Sequence, residues 1–163
     1  MNKKLLNVLF LCESNSSLSV FGEAILKRLG RGKFQVFSAG NDPKPEIDPL
    51  TLYELESNNY DPSDLRVNNW QDYAGPEAPT MDFVIALSDQ VPLSDHPDWP
   101  GQPLLTTWHI ADPIVASGDK MERKRAFVRA LAELESRISI FVNLPIESLD
   151  RLKLQQQLNK IGE

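Results

Sequence analysis

The chain has 163 residues, 41% of them hydrophobic and 25% charged, with a formal net charge of −6. That length makes one ordinary domain, 1–163, with room for a real core, and the composition is that of a globular protein. The acidic balance argues against nucleic acid as a partner, since phosphate backbones are met by basic patches; the one cysteine, Cys12, excludes an intrachain disulfide and a cysteine-rich metal site.

Lys3 and Lys4 precede an apolar run, which is how a secretory leader begins. Asn7 interrupts the run, however, and no small-residue cleavage site follows. The run "VLFLC", 8–12, is therefore expected to be a strand covered on both faces. No segment reaches the length of a membrane span, so the expected setting is cytoplasmic, without a membrane partner. From Ser17 the pattern turns helical: Phe21, Ala24, Ile25 and Leu29 recur at spacings of three and four, and Gly30 supplies a stop. "KFQVFSAG" predicts a second strand closed by Gly40. "DPLTLYELESNN" predicts a second helix with Asp48 as N-cap and Pro49 at the first helical position.

"MDFVIALSD", 81–89, predicts a third strand, and the Pro- and Asp-dense stretch from Asp89 to Gly101 a loop. "PLLTTWHIADP" predicts a short fourth strand followed by a loop. The strongest helical stripe is Phe127, Ala130, Leu131, Leu134, Ile138 and Phe141, within a helix over 119–143 ended by Pro145. A last helix is expected over roughly Ile146 to Ile161. This alternation predicts an α/β fold with a four-stranded parallel sheet and helices on both faces. Ligands of such sheets sit at the carboxyl ends of strands, where Cys12 falls.

The stretch after Cys12, "ESNSSLS", joins a strand to a helix N-terminus. Such a loop presents backbone N–H groups to an anion, and the helix dipole adds to the pull. A cysteine in its mouth is placed to act as a thiolate nucleophile. Asn15 tolerates the left-handed backbone that a curled loop needs, and Ser19 is close enough in sequence to hydrogen-bond the sulfur. A buried cysteine followed by a polar turn fits the same spacing equally well. His96 and His109 are not at metal-ligand spacing, and neither a metal nor a cofactor is expected.

Taken in order, these pieces resemble the low-molecular-weight protein tyrosine phosphatases and the arsenate reductases that share their fold. Their motif is Cys, two residues, Asn, two residues, Arg, Ser; Cys12, Asn15 and Ser19 match it. "FSAG" resembles the family's Ser-Ala-Gly after the second strand, and "WHIADP" its Asp-Pro loop. The tail "ISIFVNLPIESLDRL" is most similar to the proteobacterial arsenate-reductase branch. The resemblance implies that Cys12 attacks phosphorus and that Asp112 is the general acid and base. Ser19 would support the thiolate, and the backbone of Glu13, Ser14, Asn15, Ser16, Ser17 and Leu18 would hold the phosphate oxygens. Trp99 would rim the substrate pocket. The implied ligand is phosphate or a similar oxyanion, carried by a phosphorylated protein or a small phosphomonoester.

Two positions, Leu18 and Ser88, depart from that pattern. Leu18 stands where the family has arginine, so the bidentate, charge-neutralising contact to phosphate is missing. Glu13 adds a carboxylate to the loop. Ser88 stands where thioredoxin-coupled reductases carry a second cysteine, and a relay of cysteines within this chain is excluded. The expected function is weak phosphomonoester hydrolysis through a phosphocysteine. The alternatives are a relative that binds an oxyanion or partner without turnover, and a single-cysteine arsenate reductase that borrows an external thiol.

Overall fold

The structure, a computed structural model, describes residues 4–163. Lys3, read above as part of a leader-like start, lies outside the described residues. In chain order the elements are β1 (Leu6–Cys12), α1 (Leu18–Leu29), β2 (Phe34–Gly40) and α2 (Pro49–Ser57). They continue with β3 (Phe83–Ala86), β4 (Leu104–Thr107), α3 (Lys120–Val142) and α4 (Arg151–Ile161). Short 3₁₀ turns punctuate the connections. The four strands form one parallel sheet in the order β2-β1-β3-β4.

The strands alternate sides, and the two faces carry different cores. Val8, Phe10 and Cys12 of β1 join Phe83 and Ile85 of β3 under α1, α3 and α4. Leu9, Leu11, Val84 and Ala86 face the opposite way, against Trp70, Met81, Val91 and Trp99. Helices are predicted on both faces, but α-helices cover one alone. All four α-helices pack on one face; 3₁₀ turns at Trp70–Tyr73 and Leu93–Asp95, with the long connections around them, close the other. Helix α1 comes close to the sheet at Gly22, where a Cβ would lie 2.9 Å from the Phe10 ring.

The sequence signals at helix starts are realised physically. The Asp48 carboxylate accepts from the Leu50 N–H with Pro49 in the first turn, and Asp119 caps α3 through the Glu122 N–H. Two boundaries differ from expectation. The last helix does not run from Ile146: Ile146–Ser148 is a separate 3₁₀ turn, Leu149 is extended, and Asp150 starts α4 by capping the Lys153 N–H. The third strand shrinks to Phe83–Ala86, because after the Leu87 N–H bonds the Leu11 carbonyl the chain turns at Ser88, whose hydroxyl accepts from the Gln90 N–H. Among the described residues, no helix is long and apolar enough to cross a membrane.

Candidate functional site at the Cys12 loop

Cys12 is the last residue of β1 and lies beside Gly40, the last of β2. The loop that follows folds back over this edge. A Cβ on residue 40 would fall 2.5 Å from the Glu13 carbonyl oxygen and 2.9 Å from the Asn15 nitrogen, so only glycine fits. Asn15 takes the left-handed conformation expected of it, with φ 48°. Its side chain ties the curl in place. The Asn15 amide donates to the Ser19 hydroxyl (2.7 Å) and the Ser38 hydroxyl (3.0 Å), and its carbonyl accepts from the Asn68 N–H (2.6 Å).

Three of the loop's carbonyls are held by the segment that follows β2. Glu13 accepts from the Asp42 N–H (2.9 Å), Ser14 from the Lys44 N–H (3.0 Å), and Ser16 from the Asp48 N–H (3.1 Å) and the Thr51 hydroxyl (2.7 Å). The loop's N–H groups divide into two sets. Those of Asn15 and Ser19 act on the Cys12 sulfur, the latter at 3.5 Å. Those of Glu13, Ser14, Ser16, Ser17 and Leu18 meet no protein acceptor among the described residues. A curl with these carbonyls taken and these N–H groups unpaired ahead of a helix N-terminus has the polarity of an anion cradle.

The sulfur itself is wholly shielded from water, as are Asn15, Ser16, Ser17, Leu18 and Ser19. The Ser19 hydroxyl lies 2.9 Å from it. Burial pushes the Cys12 thiol above its ordinary value. The hydroxyl and N–H of Ser19 pull the other way, the Asp112 carboxylate raises it further, and the Asn15 N–H lowers it. Burial wins, and among the described residues no cation opposes it. The carboxylate acting on the thiol is Asp112, where the sequence pointed to Glu13. The half-buried Glu13 instead anchors the loop through its carbonyl.

Asp112 reaches the loop from the connection after β4. Its Oδ1 accepts from the Ser17 hydroxyl (3.2 Å) and from the Ile114 N–H (3.0 Å), so it caps a turn and touches the cradle at once. Three basic side chains that could have replaced the missing arginine are placed elsewhere. The Arg28 guanidinium stacks 3.5 Å over the Tyr60 ring, and Lys33 Nζ donates to the Val142 carbonyl at 3.2 Å. Arg66 lines a surface groove with Ile47 and Leu52.

Trp99 does not join this cluster. It is buried in the core of the opposite sheet face, stacked on His96 at 4.6 Å and edge-on to Trp70 at 6.0 Å. His109 pairs with Asp89 on the surface, and no group of three metal-ligating side chains occurs among the described residues.

Three residues of the site escaped the sequence reading. Asn68 donates to the Asn15 carbonyl, while Ser38 links the Asn15 amide to Glu23 (2.6 Å), which is buried in α1 and paired with Lys27 (2.6 Å). A polar chain thus runs from the thiol to the surface. Ser38 was quoted only as part of "FSAG"; that it faces α1 follows from the β1–β2 register, with Phe10 opposite Ser38.

A consequence is measurable. With the folded pKa raised, Cys12 should alkylate slowly at neutral pH and accelerate above the ordinary thiol range of about 8.5. Its contribution to stability is present below the unfolded pKa and is lost as pH rises beyond it, because the thiolate is disfavoured only in the fold. Asp112→Asn should shift the alkylation profile to lower pH by removing a charge that raises the thiol. Iodoacetamide kinetics against pH would settle both points; a thiolate already complete at pH 6 would contradict them.

No protein-family model and no curated protein matches the sequence. Solved structures do match the fold. A low-molecular-weight phosphotyrosine phosphatase from Vibrio cholerae O395 is 26% identical, with a TM-score of 0.61 over 80% of this chain and 90% of that one. A thioredoxin-dependent arsenate reductase from Corynebacterium glutamicum is 24% identical, with a TM-score of 0.61 over 85% of this chain but only 61% of that one. An arsenate reductase solved in a phosphate-binding state is 22% identical, with a TM-score of 0.65 over 85% of this chain and 97% of that one.

Proposed function

We propose, from the fold this chain shares with low-molecular-weight phosphotyrosine phosphatases and arsenate reductases, that it binds a phosphate-like oxyanion in the 13–18 loop and hydrolyses phosphomonoesters slowly through Cys12. The unpaired N–H groups of the loop that follows Cys12 carry this reading. The thiolate sulfur attacks phosphorus in line and the ester P–O bond breaks. Asp112, protonated, gives its proton to the departing oxygen. Asp112 then takes a proton from water as the water oxygen attacks phosphorus and the sulfur leaves as thiolate. The Ser19 hydroxyl, 2.9 Å from the sulfur, stabilises that thiolate in both steps.

The rate is low for physical reasons. Leu18 supplies no charge to the transferring phosphoryl group, where a positioned arginine is worth about 10³ to 10⁵ in rate. Burial holds the thiol protonated, and a sulfur with no exposed surface is reached only when the loop opens. The substrate is a small phosphomonoester or a phosphorylated protein side chain. A cytoplasmic setting, where thiols stay reduced, suits a lone catalytic cysteine.

A second reading, oxyanion binding without turnover, is favoured by the sealed sulfur and the absence of a nearby cation. The test is turnover of p-nitrophenyl phosphate by the parent and by Cys12→Ser. Activity above background that vanishes in Cys12→Ser supports hydrolysis. Equal background rates, with phosphate still bound, favour the second reading.

A further inference from the structure

The opposite end of the sheet carries a second concavity that the phosphoryl chemistry does not use. Ligands of parallel sheets sit at the carboxyl ends of strands, yet this cavity of about 680 Å³ opens beside the amino ends of β1 and β2. The seven-residue strand β1 runs from Leu6 at this cavity to Cys12, on the order of 20 Å at about 3.3 Å per residue. The volume falls within the range of small-molecule sites, about 300–1,000 Å³.

Its lining is unusual for a chain of net charge −6. Lys4, Arg31 and Lys33 converge there, with Glu147 as the one carboxylate. Three like charges raise one another's energy, so their convergence is itself a cost. The fold offsets part of it for Lys33, whose Nζ donates to the Val142 carbonyl near the C-terminal end of α3. Lys4 and Arg31 have no ion-pair partner among the described residues, and neither does Glu147. The floor is apolar: Leu6, Leu144 and Ile146 line it and are only partly covered by the core. Gly32, between two of the cations, holds φ +82° with nothing within 4 Å of a Cβ position, which leaves the mouth open on that side.

We propose that this cavity is a binding site for a small organic anion, its apolar body on Leu6, Leu144 and Ile146 and its sulfonate-, phosphate- or carboxylate-type head between Lys4, Arg31 and Lys33. Apolar burial fixes the body and the cations fix the head, a division of labour usual in ligand sites. An inorganic anion alone lacks the first contribution. A neutral aromatic lacks the second.

The probe is naphthalene-2-sulfonate, titrated into the intact ¹⁵N-labelled chain at low salt, with inorganic sulfate and 2-naphthol as controls. The expected result is saturable binding of the sulfonate, with amide shifts centred on Gly32 and Ile146 and none at Ser16. Sulfate and naphthol should bind at least about tenfold more weakly. Arg31→Glu should weaken sulfonate binding by at least about tenfold, since reversing one charge near the head replaces attraction by repulsion, and raised salt should weaken it too. Leu144→Asp, which spoils the floor but keeps all three cations, should do the same, with amide spectra reporting that both variants are folded. No binding at millimolar sulfonate overturns the proposal. So does binding indifferent to both variants, or shifts centred on residues 13–18. Cys12→Ser should leave this binding unchanged, so failure here is separable from failure of the hydrolytic reading.

Discussion

Leu18→Arg raises turnover of a small aryl phosphate by at least about 10²-fold over the parent, the low side of what a positioned arginine contributes to phosphoryl transfer. Leu18 is the first residue of α1, fully buried, and immediately precedes Ser19, whose N–H reaches the Cys12 sulfur. A guanidinium entering from that position brings positive charge beside the loop N–H groups, the Ser17 and Ser19 hydroxyls and the Asp112 carboxylate. It would offer two parallel hydrogen bonds to phosphate oxygens and would lower the thiol pKa. Without an anion the variant should be less stable, because a charge enters an apolar position without full compensation. Phosphate should then restore stability, since it binds the folded state alone. If parent and variant both stay at background, with the variant folded, Leu18 is not the controlling lesion and binding without turnover is the better account.

The second large effect concerns the acid. Asp112→Asn should lose about 10²- to 10⁴-fold on phenyl or alkyl phosphates, the usual range for general acid catalysis, and far less on p-nitrophenyl phosphate. A basic leaving oxygen needs a proton as it departs, whereas an activated phenolate leaves nearly unaided. Asp112 Oδ1 already accepts from the Ser17 hydroxyl inside the loop, so the carboxyl is at the cradle's edge before any substrate arrives. Water activation uses the same group, so phosphocysteine should accumulate in the variant on good substrates. The comparison is a leaving-group series on parent and variant, run on the Leu18→Arg background where the parent is too slow. Equal losses across the series would reduce Asp112 to the cap of the Pro113–Val115 turn.

The legible parts of this site are those encoded locally. The run ending at Cys12, the helical pattern from Ser17 and the cap at Asp48 each depend on residues a few positions apart, and the structure places them closely as read, with α1 starting one residue later at Leu18. Asn15 announced its left-handed backbone by residue type. Asp112 was legible through the family resemblance alone, because nothing in "IADPI" reveals that 95 positions separate hydrogen-bonding partners. Asn68, Ser38 and Glu23 were not legible as site residues. Their meeting depends on strand register and on a connection that brings the Asn68 N–H to the Asn15 carbonyl. Trp99 was misplaced for the same reason: a tryptophan in a loop gives no sign of which sheet face it covers. The late start of α4 had a local signal, Asp150 followed three residues later by Lys153, but the apolar period from Ile146 overrode it.

The central claim is that the backbone of residues 13–18 is an oxyanion cradle despite Leu18. The most direct measurement is a titration of the ¹⁵N-labelled protein with inorganic phosphate, following backbone amide shifts at constant ionic strength. The account predicts saturable shifts concentrated on the N–H groups of Glu13, Ser14, Ser16, Ser17 and Leu18, which have no protein acceptor among the described residues. The same shifts should persist in Cys12→Ser, which keeps the loop and removes the nucleophile. Loop amides that stay fixed up to tens of millimolar phosphate, or shifts that appear only at exposed lysines and arginines elsewhere, would contradict it.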